Sequence, residues 1–275
     1  MSNLAEQSYW DKSYENYNLE IAPKKDQVRQ WIEKFVPKAH SQASNPSELE
    51  RIEENMERRL SLPQALEIGC FPGRYLTVLG ELGYELNGID LTPGIERNFV
   101  DWLKSRKYKT GEFSKISLSE YRNKNSGIKY DLVCSFGFIE HFIDWKDVLL
   151  KHADFVKDEG YLIISAPNFR GILQRILHFC LDNKNYKRHY IPSMNPFLWK
   201  KIVQDLDFNF DIIYCGYFGA FEFWVDKQEI NSFQKIISII IIKFLMPILK
   251  KLPGNNEIYS PYCGLIAKKR KSDKV

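Results

Sequence analysis

Ala65-Leu-Glu-Ile-Gly-Cys-Phe-Pro-Gly-Arg-Tyr-Leu76 is the stretch that decides the reading of this chain. It begins as a short apolar run suited to a buried strand, opens at Gly69 and Gly73, and passes into a helical pattern. A glycine lets backbone approach a ligand because it has no Cβ, and a helix N-terminus offers free N–H groups to an anion. About twenty residues past Gly69 a second apolar run, Asn87-Gly-Ile-Asp90, ends on an acid. A carboxylate delivered there can accept the hydroxyls of a ribose. Taken singly, the glycines read as ordinary turn residues and Asp90 as a helix cap. Together, at this spacing, they predict a nucleoside site on an α/β sheet.

The strands and helices around this core follow from periodicity. Val28, Trp31, Ile32 and Phe35 recur at helical spacing after an aromatic stretch containing Tyr9, Trp10, Tyr14 and Tyr17. A charged segment, 44–59, reads as a solvated helix, so residues 1–60 form an N-terminal helical cap. Strands are expected at 65–69, 85–90, 109–113, 130–135 and 161–166, with two more at 210–214 and 260–267. Pro72 suits a helix start, with that helix running over 73–82, and Gly83 stops it. Thr92-Pro-Gly94 opens another helix that turns Phe99, Trp102 and Leu103 inward. Lys157-Asp-Glu-Gly160 reads as the turn before the fifth strand. Alternation of strand and helix predicts a parallel sheet with right-handed crossovers. The domain so defined runs over 61–275.

Composition narrows the function classes. The 275 residues are 44% hydrophobic, enough for a large packed α/β domain, and a net charge of +4 from 39 basic and 35 acidic residues does not argue for nucleic acid. The five cysteines form no CxxC pair and read as buried hydrophobes in a reducing compartment, with no metal site expected. Met1-Ser-Asn-Leu-Ala-Glu-Gln7 has neither a charged n-region nor an apolar stretch, so the expectation is a cytoplasmic protein without a signal peptide.

The dinucleotide fingerprint GxGxxG is absent, as is a P-loop. The motifs resemble instead those of the class I S-adenosylmethionine-dependent methyltransferases, in the manner of the small-molecule O-methyltransferases. The first motif stands as Glu67-Ile-Gly-Cys-Phe-Pro-Gly73, the second acid as Asp90 in Gly88-Ile-Asp-Leu-Thr-Pro93, and a weaker third as Glu112 in Thr110-Gly-Glu-Phe113. The fourth-strand motif stands as Tyr130-Asp-Leu-Val-Cys-Ser-Phe-Gly-Phe-Ile-Glu-His-Phe142, and the fifth strand with its polar exit as Gly160 to Asn168. The resemblance covers about residues 60 to 215, in the family's order.

The resemblance implies a Rossmann-like, doubly wound, seven-stranded sheet with helices on both faces and S-adenosyl-L-methionine as cofactor. Glu67 would bind the methionine ammonium. Gly69, Cys70, Phe71 and Gly73 would line the methionine and ribose, and Asp90 would hold the ribose hydroxyls. Leu91 would pack on the adenine with Glu112 and Phe113 at its rim, and Ser135 and Phe136 would lie beneath the sulfonium. Phe71 departs from the family pattern, which has glycine there. It could lie against the methionine end of the cofactor or against the N-terminal cap, or it could close the site.

A hydroxyl acceptor must lose a proton, and a histidine near the carboxyl ends of the strands suits that task. His141 is the first candidate, against the alternative that it caps the following helix. His189 is the second, in a lid at 169–200 that loosely resembles the substrate lid of O-methyltransferases of the ubiquinone-biosynthesis type. Glu140 is expected at the edge of the site.

The run Phe233 to Leu252, inside an insert at 231–252 before the last strand, is long and apolar but interrupted by Ser238, Lys243 and Pro247. Three readings stay open: a helix packing on the core or forming a homodimer, an in-plane helix on an anionic membrane at the inner face, and a true span. The expected activity is methyl transfer to a small or lipid-linked acceptor, at a hydroxyl oxygen. The alternative is a non-catalytic scaffold with the same fold. A nicotinamide oxidoreductase is disfavoured by the glycine spacing, and a nucleic-acid modifier by the charge balance and the missing Asn-Pro-Pro-aromatic motif.

Overall fold

The computed structural model describes residues 3–15, 17–39, 62–205, 209–226 and 229–271. The predicted helix at 44–59 lies outside the described residues. Seven strands form one sheet: β1 (Gln64–Ile68), β2 (Glu85–Asp90), β3 (Thr110–Lys115), β4 (Tyr130–Phe136), β5 (Val156–Pro167), β6 (Phe210–Phe218) and β7 (Tyr262–Lys269), in the spatial order β3-β2-β1-β4-β5-β7-β6. The order reverses beside β1, which places a crevice at the carboxyl ends of β1 and β4, where open α/β sheets bind ligands.

The expectation of a parallel sheet holds from β3 to β5 and fails at the last strand. β7 runs antiparallel between β5 and β6, pairing Ile164 with Leu265 and Cys215 with Leu265. Its sequence is an apolar run that would serve either direction, so nothing local specifies the reversal.

Helices cover both faces. On one face lie α2 (Gln27–Phe35), α3 (Leu76–Glu81) and α4 (Phe99–Ser105); on the other lie α5 (Leu118–Lys124), α6 (Trp145–Asp154) and α9 (Pro196–Asp205). The strand period of two divides the side chains between these cores: Leu162 and Ile164 point to one, Ile163 to the other. Around them, α1 (Gln7–Ser13) covers the site described below, and α7 (Ile172–Leu181) and α8 (Asn183–Lys187) follow β5. The last helix, α10 (Ser232–Leu249), contains a π-helical stretch at Ile241–Leu245.

Several local boundaries shift from the sequence reading. Pro72 does not start a helix; the chain makes a turn through Gly73 and Arg74 before α3 opens at Leu76. Thr92 precedes a short 3-10 turn, Pro93–Glu96, and α4 begins only at Phe99. Residues 157–160 belong to β5, where Glu159 adopts φ +64° at an irregularity in the pairing with β4. The N-terminal segment is not a separate cap throughout: α2 is part of the main core. Asp26 caps it by accepting from the N–H groups of Val28 and Arg29, and Trp31 stacks on Phe218 with ring centroids 4.5 Å apart.

Candidate active site

The site grows out of the loop between β1 and α3. Gly69 and Gly73 both have positive φ, +74° and +79°, which a Cβ would strain. A Cβ on Gly73 would also lie 2.4 Å from the Phe99 ring, and one on Gly69 2.6 Å from Phe138. Both glycines are therefore required by the loop's path and by side chains closing on it. Asp90, at the end of β2, accepts from the N–H of Phe71 at 3.0 Å and of Thr92 at 2.7 Å. One carboxylate thus ties the β1 loop to the turn after β2. The N–H groups of Gly69 and Cys70 add bonds to the Ile89 carbonyl.

Below this loop opens a cavity of about 530 Å³. The loop residues Glu67 to Tyr75 form one wall and Asp90 to Thr92 the next. Ile116 to Ser119 and Phe136 to Phe138 continue it, with His141 and Phe142 beyond. Asn3, Gln7, Trp10, Tyr14 and Tyr17 from the N-terminal segment complete it. This segment is fastened to the site by a backbone bond from Leu4 N–H to the His141 carbonyl at 2.8 Å.

The cavity is electrostatically unbalanced. Glu67 is buried, and its Oε2 has no hydrogen-bond partner among the described residues. Burial, and then the Asp90 charge, push its carboxyl well above the usual range. Burial raises Asp90 too, against the bonds it accepts from Thr92 and Phe71. The nearby Arg74 is engaged elsewhere, bonded to Asp26 at 2.9 Å and paired with Glu20. A buried carboxyl with an unpartnered oxygen, beside a second carboxyl, suits a cation with N–H donors.

At the other end of the cavity His141 lines the wall, with His189 packed against it from behind. His141 places Nδ1 3.0 Å from the Arg188 carbonyl, and His189 places Nδ1 2.7 Å from the Asn185 carbonyl. A carbonyl only accepts, so each Nδ1 carries the proton and each Nε2 keeps its lone pair. The rings lie 4.7 Å apart, and Trp10 meets His141 edge-on at 5.0 Å. Burial pushes His141 down to about 4 and His189 well below its usual range. Burial also pushes the Glu140 carboxyl up to about 8; it lies 3.9 Å from His141 Nε2, and its Oε2 has no hydrogen-bond partner among the described residues. One ligating atom from each of Glu140, His141 and His189 falls within 4.8 Å of the others.

A methyltransferase domain family matches residues 22–211, which is more than half of the chain. The chain belongs to this methyltransferase family. It is similar in structure to a candidate methyltransferase of Bacillus halodurans, at 13% identity and TM-score 0.52, over 79% of this chain and 98% of that one. A SAM-dependent methyltransferase from Archaeoglobus fulgidus aligns at 20% identity and TM-score 0.49, over 88% of this chain and 99% of that one. The first of these similarities supports the fold alone. No curated protein matches the chain by sequence. The fold is that of the class I enzymes, whose methyl donor is S-adenosyl-L-methionine.

The residues present fit that donor. The orphaned Glu67 oxygen suits its ammonium, and Asp90 retains acceptor capacity for ribose hydroxyls beside the two backbone bonds it accepts. Of the residues singled out in the sequence, the methyltransferase brings Glu67, Gly69, Cys70, Phe71, Gly73, Asp90, Leu91, Phe136 and His141 to one cavity. The Cys70 side chain turns into the core over Gly88, so only its backbone can serve the wall. Phe71 takes the cap side of the choice posed above: its ring fills the space over Gly94 and packs edge-on against Tyr14 and Phe99, at 5.3 and 5.5 Å.

Four expected residues are not in the wall. Glu112 is exposed and accepts from Ser114 Oγ at 2.9 Å. Phe113, on the opposite side of β3, packs on Phe99 in the core. The rim next to Leu91 is formed by Ile116 to Ser119 instead. Ser135 is fully buried inside the sheet, and His189 stands behind His141, packed on Phe169. The residues missed on the rim had a local signal: Ser117, followed by Glu120, is a helix N-cap, and its side chain accepts from the Glu120 N–H.

Proposed function

We propose that the chain transfers a methyl group from S-adenosyl-L-methionine to a hydroxyl of a small or lipid-linked acceptor, with His141 as the base. The observation that carries this is the His141 tautomer, fixed by the Arg188 carbonyl, in a residue of the cavity wall. When bound, S-adenosyl-L-methionine supplies a methyl group made electrophilic by its sulfonium. Glu67 would hold the ammonium and Asp90 the ribose hydroxyls, while Leu91 and Ile116 offer apolar surface to the adenine.

The aromatic wall of Trp10, Tyr14, Phe136 and Phe138 excludes water and favours a flat or apolar acceptor body. His141 Nε2 would take the proton of the acceptor hydroxyl as that oxygen is methylated, the donor's sulfur leaving as a neutral thioether. At neutral pH burial keeps both His141 and Glu140 uncharged. His141 Nε2 and the Glu140 carboxyl lie 3.9 Å apart, so the two groups titrate as a pair. Positioning the acceptor against this pair and the donor does most of the catalytic work.

Calorimetric titration with S-adenosyl-L-methionine, followed by turnover of phenolic and lipid-borne hydroxyl acceptors with His141→Ala alongside, tests the reading. Donor binding with turnover that falls in the variant supports it. A folded protein without donor affinity would bring the scaffold reading forward.

A further inference from the structure

α10 is mostly apolar but packed along only one side. Ile237 and Ile241 turn inward onto Phe221 and Phe223, together with Leu173 and Leu177 of α7. The side amide of Gln234 reaches the Cys180 carbonyl at 3.4 Å and joins the two helices. Their outer faces carry Ile172, Ile176 and Phe179 on α7 and Phe233, Phe244 and Ile248 on α10, each more than half exposed. This is one continuous apolar surface drawn from two helices, and only 6% of the α10 window is buried.

We propose that this two-helix face docks in the plane of an anionic lipid bilayer. Charge selects the occupant. Residues 232–252 contain no Asp or Glu but include Lys235, Lys243, Lys250 and Lys251, and residues 171–181 add Arg175 and no acid. The four lysines and Arg175 are all exposed. An apolar face whose two helices carry exposed cations and no acid matches the lipid headgroup boundary of a negatively charged membrane. A second copy docked on the same face would set cations against cations, because a two-fold contact repeats the patch. The helix lies along the surface and does not cross it: α10 is held along its length by its inner side chains, and the chain returns through β7 into the sheet between β5 and β6.

The same helices lead to the site. α7 leaves the carboxyl end of β5, and α8 carries the chain on to Arg188, whose carbonyl holds the His141 ring. The docked face therefore shares the segment 169–200 with the carbonyl that orients His141. On the methyltransferase reading, the acceptor class this favours is an amphiphile whose hydroxyl is presented from the membrane.

The test uses the full chain with vesicles of phosphatidylcholine and phosphatidylglycerol in equal parts, and of phosphatidylcholine alone, at low and raised salt. Pelleting with the anionic vesicles, weakened by salt, is expected. Phe233→Ser with Phe244→Ser lowers partitioning by about tenfold or more per ring, and both side chains are 69% exposed, so the fold does not depend on them. No lipid-dependent pelleting at low salt overturns the proposal. So does a stable lipid-free dimer in sedimentation that the same double variant splits. Donor affinity measured on the same preparations reads the catalytic site separately. Its absence would sink the proposed activity and leave a positive docking result standing.

Discussion

His141 Nδ1 lies 3.0 Å from the carbonyl oxygen of Arg188, a residue 47 positions further along the chain. The bond fixes which ring nitrogen is basic and ties the lid to the end of β4. A second bond, from Tyr190 N–H to the Glu140 carbonyl at 2.6 Å, repeats the tie one residue away. Beyond it, Arg188 bonds Asp226 at 3.1 Å and stacks on Tyr9, whose hydroxyl donates to the same Asp226 oxygen at 2.9 Å. The segment carrying Arg188, the N-terminal segment and His141 thus share one network, and the Arg188 carbonyl within it orients the ring.

His141→Ala is expected to lower turnover by roughly 10² to 10⁴-fold, the range for a lost general base. Donor affinity should stay within a factor of about two, well under the tenfold that 1.4 kcal/mol represents, because the bonding groups for the donor lie at Glu67 and Asp90. Nitrogen NMR of the wild-type protein at neutral pH should show a neutral ring protonated at Nδ1. A ring protonated at Nε2 would remove the base assignment.

Asp90 carries two loads, so its removal has two readouts. Asp90→Ala is expected to abolish measurable donor binding in calorimetry. It also orphans the Phe71 N–H and loosens the β1 loop, which costs about 1–3 kcal/mol of stability. Asp90→Asn keeps one acceptor oxygen and should recover part of the stability with less of the affinity. Unchanged donor affinity in a folded Asp90→Ala protein would refute the assignment.

The part of this site that could be read from sequence is the part built by short segments. Glu67 to Gly73 and Asp90 are strand ends followed by turns, and an apolar run closed by glycine or an acid announces both. Glu112 shows the limit: strand side chains alternate, and a one-residue difference decides whether a side chain meets ligand, core or solvent. The direction of β7 is invisible because an apolar strand carries no polarity in its pattern. Trp10, Tyr14 and Tyr17 stand out as aromatics, but it takes contacts with distant segments, such as the bonds from Leu4 to His141 and from Tyr9 to Asp226, to put them over the cavity. His189 reaches His141 through a lid whose path depends on backbone bonds between distant segments.

Acid and base should both weaken the fold, for separate reasons. Burial pushes His141 and His152 down to about 4. Their contribution is full above the ordinary histidine value, about 6.5, and is lost as pH falls through about 4. Glu140 is raised to about 8, so its contribution is full below the ordinary carboxyl range and is lost as pH rises through about 8. Glu67 shifts in the same direction. The melting temperature should therefore peak near neutral pH, fall towards acid and decline again on the alkaline side. Glu140→Gln should flatten the alkaline limb. Thermal unfolding across the pH range checks this, and a flat wild-type alkaline limb would contradict the burial of an unpaired Glu140.

Phe71 and Gly94 form a pair that one substitution cannot interpret. A Cβ on Gly94 would lie 2.4 Å from the Phe71 ring tip, and the ring is held by Tyr14 and Phe99. Gly94→Ala alone should destabilise by about 1–3 kcal/mol through overpacking. Phe71→Gly alone should cost about 3–5 kcal/mol as a lost buried ring and loosen the contact between α1 and the loop. In the Phe71→Gly background the added methyl of Gly94→Ala meets empty space, so its cost should shrink or reverse. A double-mutant cycle by denaturant unfolding should give a coupling of about 1–3 kcal/mol. The same cycle read by donor affinity shows what Phe71 does in place of the family's glycine. If the ring only braces the loop against the N-terminal segment, Phe71→Gly weakens donor binding in proportion to the stability it loses, and lowering the temperature restores it. Tighter donor binding in Phe71→Gly would mean that the ring narrows the site, and the bracing role would be wrong.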